Sequence, residues 1–155
     1  MLSAEYIIGL IDGEGSFYVR LNENPKRRNK IEFKFSVKLR YQDKDTLEQL
    51  KSFFDCGNVY IQRDKRKNHS LCYRFEVNNK KDIFNKIIPF FEKNSPKIES
   101  RKQDFELFKQ IAELSQQESA NLEQIQGLKQ QMHWGLAVYG KTVRTVGTPS
   151  NSVME

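Results

Sequence analysis

Residues 31–40 read "IEFKFSVKLR". Phe33, Phe35, Val37 and Leu39 fall on one side; Glu32, Lys34, Ser36, Lys38 and Arg40 fall on the other. A period of two is the mark of a strand buried on one face only. A slip of one residue would turn every phenylalanine to water, so this run fixes its own facing. "GSFYVRLNEN" at 15–24 does the same, with Phe17, Val19 and Leu21 alternating against Tyr18, Arg20 and Asn22. "NPKRRNK" at 24–30 breaks the pattern with Pro25 and a basic cluster. The two runs predict a hairpin with one apolar face and one polar, mostly basic face.

The plan then repeats. "DKDTLEQLKSFFD" returns to a helical period, with Leu47, Leu50 and Phe54 on one side. After Gly57, "NVYIQRD" and "LCYRFEVN" predict two strands around the basic turn "KRKNHS". Val59 and Ile61 oppose Tyr60, Gln62 and Asp64; Leu71, Tyr73, Phe75 and Val77 oppose Cys72, Arg74 and Glu76. "KKDIFNKIIPFFEK" is helical again, with a kink or early end expected at Pro89. With an opening helix over 4–13, the order is α, then ββα twice. This predicts an α+β domain over 1–139, an αββαββα core whose four-stranded antiparallel sheet is backed by helices. Further helices are expected near 102–115 and 120–137. The run from 140 to 155 has no period and reads as a mobile tail.

The polar face gathers Tyr18, Arg20, Asn22, Asn24, Lys34, Ser36, Lys38, Arg40, Tyr60, Gln62, Asp64, Cys72, Arg74 and Glu76, with Lys26, Arg28, Lys65 and Arg66 in the turns. The net charge is +6 and the pI about 9.3, which favours a polyanionic partner. Cations suit phosphates, while Arg, Asn and Gln suit base edges in a groove that admits a β-ribbon. A merely solvated face would alternate in the same way. Other chemistries find little support. Cys56 and Cys72 form no CxxC or Cys/His cluster, and His69 and His133 stand alone. No apolar run approaches the roughly 18 residues of a membrane span.

"IIGLIDGEG", residues 7–15, closes the opening helix. Each glycine inside a helix costs about 1 kcal/mol against alanine. Gly9 and Gly13 are four apart and share a face, where their missing side chains leave a strip for close helix approach. A second copy related by a twofold axis would bring two such helix ends together. Glu14 and the unsatisfied carbonyls at that helix end are hard oxygen donors, suited to Mg²⁺. A helix stop with a solvent-exposed acid is the simpler alternative.

This nonapeptide resembles the LAGLIDADG motif of homing endonucleases. Gly9, Leu10, Ile11, Asp12 and Gly15 match it directly; Gly13 replaces alanine, and Glu14 stands for the final acid. "GSF" after the motif, "KDTLEQLKSFF", "CGNVYIQ" and "KQDFELFKQ" are also similar to the family, over about residues 3–137. The resemblance implies a DNA-binding saddle and site-specific double-strand cleavage. It implies Mg²⁺, replaceable by metals such as Mn²⁺, held by Glu14 with the Gly13 carbonyl. It places Gly9, Leu10, Asp12 and Gly13 at a helix–helix interface, with Asp12 fixing the helix end. One motif implies a homodimer on a near-palindromic site. Lys97 and Arg101 are the basic catalytic candidates, with Lys102 beside them; Arg40 or Gln42 could fill a polar strand-end role, although strict alignment puts Leu39 there. An intron-RNA maturase, or a DNA-binding protein without cleavage, is the alternative on the same scaffold. Intron encoding would place the protein in a mitochondrion or chloroplast; it is not expected to be secreted. The motif starts so close to Met1 that no cleavable import signal is expected before it.

Overall fold

The computed structural model describes residues 1–22, 24, 26, 30–63, 71–119 and 121–133. Helix α1 (Ala4–Glu14) starts under a Ser3 cap, whose hydroxyl accepts from the Tyr6 N–H at 3.1 Å. Ile7, Ile8 and Ile11 are its buried stripe. No loop separates it from strand β1 (Gly15–Leu21). The corner closes on itself: a Cβ on Gly15 would lie 2.5 Å from the Ile11 Cγ2 and 2.8 Å from its carbonyl oxygen. The third glycine of the motif is therefore required by packing, at an ordinary extended φ of −78°.

Strand β2 (Ile31–Arg40) pairs antiparallel with β1, Phe17 opposite Phe35 and Tyr18 opposite Lys34. A short 3₁₀ turn (Tyr41–Asp43) leads into α2 (Lys44–Phe54), which buries Leu47, Leu50 and Phe54. Asp55 (φ 52°) and Gly57 (φ 85°) turn the chain through left-handed conformations. At Gly57 a Cβ would also meet Phe75 Cε2 at 2.6 Å, so glycine is needed there twice over. Strands β3 (Asn58–Gln62) and β4 (Cys72–Val77) complete a sheet of order β1-β2-β4-β3. The predicted α+β architecture, with one antiparallel four-stranded sheet, is what the chain adopts.

Helices cover one face only. Phe17, Phe35, Phe91, Phe105 and Phe108 form the centre of the core, with Phe17 ring centroids 5.2–5.4 Å from the other four. Pro89 does not end its helix. α3 (Lys80–Asp82) passes into a π segment (Ile83–Ile87), then α4 (Ile88–Lys93). Proline has no N–H and crowds the carbonyl four residues earlier. Widening the turn ahead of it, with the Ile88 N–H reaching back to Ile83, absorbs that conflict and lets Phe90 and Phe91 stay on the helix. α5 (Glu99–Ser115) begins three residues before the expected 102, and α6 (Leu122–Gln131) is shorter than the expected 120–137. The expected tail 140–155 lies outside the described residues.

Candidate nucleic-acid interface and acidic helix end

The outer face of α1 is bare. Gly9 and Gly13 are exposed, and a Cβ built on either meets nothing within 4 Å. Leu10 packs half-buried against the core, and Tyr6 is exposed beside the strip. The chain's own packing therefore gives no reason for either glycine.

Glu14 is exposed at the last position of α1. It precedes the Gly15–Val37 pair, so the helix end abuts the start of the sheet, with Ser16 and Ser36 the first pair on the polar face. The C-terminal carbonyls of a helix lack intrahelical partners. Glu14 and the Gly13 carbonyl are hard oxygens on adjacent residues at an exposed helix end, the kind of donors that would suit Mg²⁺. They form part of a shell only: among the described residues no group of three or more His, Cys, Asp or Glu could hold a metal. Completing a site needs oxygens from elsewhere, and phosphates or a second helix end are suitable sources.

Asp12 faces into its own chain. Its carboxylate accepts from the Lys97 N–H at 2.9 and 3.1 Å and from the Ile98 N–H at 3.1 Å, just where α5 begins. The expected role of Asp12 is to fix the end of its own helix; its carboxylate instead reaches across to the backbone at the start of α5, the helix that carries Arg101 and Lys102 and follows Lys97. Lys97 and Lys102 are exposed, while Arg101 is half-buried with its Nε buried and unpartnered. At the end of β2, Arg40 is exposed opposite Cys72 and Gln42 is exposed in the turn. Leu39 pairs with Tyr73 and packs against the core, so the strictly aligned position holds no polar group.

On the polar face Tyr18, Arg20 and Arg40 are exposed, Lys34 and Lys38 half-exposed, and Ser36 buried. Glu76 is the hub. The Tyr60 hydroxyl donates to its Oε2 at 2.6 Å, Lys34 Nζ lies 3.6 Å from Oε1, and Arg74 Nη1 lies 4.0 Å from Oε2. Arg74 Nε donates to Gln62 Oε1 at 2.8 Å. Partial burial, then the Glu76 hydrogen bond and charge, push the Tyr60 phenol up to about 12. Asn22 donates to Glu32 at 3.4 Å, and the Asn24 side chain accepts from the Lys26 N–H at 3.0 Å. Tyr18, Arg20, Glu32, Lys34, Arg74 and Asn78 are among the residues that border a groove of about 650 Å³. Arg28, Asp64, Lys65 and Arg66 lie outside the described residues.

Two parts of this surface are not evident in the sequence pattern. Lys129 of α6 lies 5.9 Å from the Tyr18 ring centre, bringing a distant helix to the β1 edge. Asn78, one residue past β4, joins the groove and donates to Glu76 at 3.4 Å. Its position after a strand end gives the only local hint; nothing in the spacing of Lys129 points to Tyr18.

An αββαββα module with one polar sheet face, and a first helix ending in an exposed acid at the edge of that face, defines the class. Residues 7–112 match the model of the LAGLIDADG endonuclease family, and the chain belongs to that family. A probable intron-encoded DNA endonuclease 1 of Mycosarcoma maydis is 32% identical over 106 residues, which cover 68% of this chain and 35% of that protein. A probable intron-encoded endonuclease 2 of Neurospora crassa is 30% identical over 145 residues, covering 88% and 30%. Among solved structures, I-SmaMI bound to an uncleaved DNA target in the presence of calcium ions has 29% identity and a TM-score of 0.72, covering 91% of this chain and 50% of that one. The homing endonuclease I-TnaI has 27% identity and a TM-score of 0.70, covering 85% and 88%. The chain thus spans about a third of these curated relatives and half of I-SmaMI, but most of I-TnaI. No helix among the described residues is long and apolar enough to cross a membrane.

Proposed function

We propose that this chain is a site-specific homing endonuclease that acts as a homodimer on a long, near-palindromic DNA duplex. The observation that carries the reading is the pair of unfilled glycines on α1, leading directly to an exposed Glu14 at the sheet edge. Two interior glycines cost a helix about 2 kcal/mol together, and no contact within the chain offsets it. A second α1 lying on the strip offsets it and brings two Glu14 side chains toward one axis. The half-length match to DNA-bound I-SmaMI and the near full-length match to I-TnaI support a working molecule of two such units.

In that dimer the two polar sheet faces lie along the duplex, with Arg20, Lys34, Lys38 and Arg74 toward base edges and the remaining basic side chains on phosphates. Glu14 and the Gly13 carbonyl would hold Mg²⁺, or Mn²⁺ in its place. When bound, the ion supplies a Lewis acid at the scissile phosphate. Lys97 and Arg101, held by the Asp12 cap near the end of α1, offset the charge that grows on the phosphate oxygens. The intron-encoded fungal relatives support an origin in an organellar intron.

The test is selection of cleaved sites from a randomised duplex pool with Mg²⁺. The reading predicts a long consensus with twofold character, recovered by the wild type and not by Glu14→Gln. Sequence-specific binding with no cleavage under any divalent metal would leave a regulator or a maturase in its place.

A further inference from the structure

Glu76 presents a paradox that DNA binding alone does not resolve. It is an acid at the middle of a mixed polar face that carries Arg20, Lys34, Lys38 and Arg74 and a second acid, Glu32. Its cross-strand neighbours are Ser36 and Asn58, and only 11% of its side chain is exposed. A carboxylate there repels phosphates, and as a base contact it suits only a donor such as the cytosine N4 amine.

Its partners explain what it does. Tyr60 fixes one carboxylate oxygen from β3, Asn78 donates to the other, and Lys34 approaches from β2. Arg74, two residues earlier on the same strand and face, is held from two sides: by Gln62 at Nε and by Glu76 at Nη1. A guanidinium hydrogen-bonded at Nε and drawn toward a carboxylate at Nη1 is biased to one plane before DNA arrives, and part of the ordering entropy of a long side chain is met in folding. An Arg with a set plane is suited to the paired acceptors of guanine, N7 and O6, in the major groove. An Arg or Lys free to swing instead finds the nearest phosphate, which carries no sequence information.

We infer that Glu76 is a positioning residue for specificity: it holds Arg74 and Lys34 to base-facing geometry, Arg74 toward a guanine, and keeps them off the phosphates. Resting on the DNA-cleavage reading above, this assigns sequence discrimination to an acid that touches other side chains rather than the scissile site.

The test measures binding of the full chain, with Ca²⁺ as the metal, to the duplex recovered from the randomised pool, to each single-base-pair variant of it, and to an unrelated duplex. Glu76→Gln is near-isosteric and keeps an acceptor for Tyr60. It is expected to bind the unrelated duplex several-fold more tightly. Its discrimination at the guanine position read by Arg74 is expected to fall roughly tenfold, within the range of a bidentate base contact, with other positions unchanged. Tyr60→Phe, which leaves the charge, is expected to give a smaller loss at the same position. A purely structural role would instead lower affinity evenly for all sequences, and that result would overturn the proposal. So would a Glu76→Gln profile matching the wild type at every position. If the wild type itself selects no sequence, the DNA-cleavage reading fails and this one with it.

Discussion

The Asp12 carboxylate accepts from the backbone N–H of Lys97 at 2.9 Å, joining residues 85 apart in the chain. An acid within the family motif is thus the cap of α5, and the end of α1 and the start of α5 are fixed to one another. Removing a capping carboxylate costs about 1–2 kcal/mol. Asp12→Ala is therefore expected to lower the melting temperature by roughly 2–8 °C and to slow cleavage, since Lys97 and Arg101 lose their mooring. Lys97→Ala keeps its backbone donor, so its melting temperature should match the wild type. Calorimetry of both variants separates the two effects; equal melting temperatures for wild type and Asp12→Ala would remove the capping account.

Glu14 is exposed at the end of α1, and in the proposed site its carboxylate holds the metal. Glu14→Gln should leave the melting curve and specific binding intact and reduce cleavage by at least about a hundredfold, a loss comparable to that of a major electrostatic contributor. Single-turnover cleavage with Mg²⁺ measures it. Nicking at the normal rate would assign the acid elsewhere.

The glycines of the motif should divide into two kinds. Gly13→Ala meets empty space in the single chain and gains helix propensity, so the isolated subunit should be as stable as before or more so, by up to about 1 kcal/mol. Its dimer should be weaker. Gly15→Ala drives a methyl into Ile11 and should destabilise the subunit itself. Denaturant unfolding followed against protein concentration distinguishes loss of association from loss of fold.

The Tyr60 phenol has a folded value of about 12 against its ordinary 10.0. Between those values the folded chain keeps a proton that the unfolded chain releases. Its contribution to stability is complete below pH 10 and is lost as pH rises toward 12. Ultraviolet titration should show one tyrosine ionising late. That late step should be absent in Tyr60→Phe and shift downward in Glu76→Gln, where the neighbouring charge is gone.

Alternation made the sheet legible before any coordinates, because Phe33, Phe35 and Val37 can face the core in only one register. The helical period did the same for α2 and α5. Pro89 was harder: its effect depends on whether the turn ahead can widen, and that is decided by the burial of Ile83, Ile87 and Phe91. Asp12 and Glu14 stand two apart in one motif; the resemblance separates their roles, and the fold adds that the Asp12 carboxylate reaches the backbone of Lys97 and Ile98. Glu76 could be placed on the polar face by spacing, yet its links to Tyr60 and Lys34 need the strand order β1-β2-β4-β3. The approach of Lys129 to Tyr18 depends on how α6 folds back and has no local signature.

Sedimentation of the chain with its own cleaved site tests the paired-subunit account most directly. Two chains per duplex are predicted for the wild type, with loss of the second chain and of double-strand cleavage in Gly13→Leu. One chain per duplex, in a complex that still cuts both strands, would contradict it.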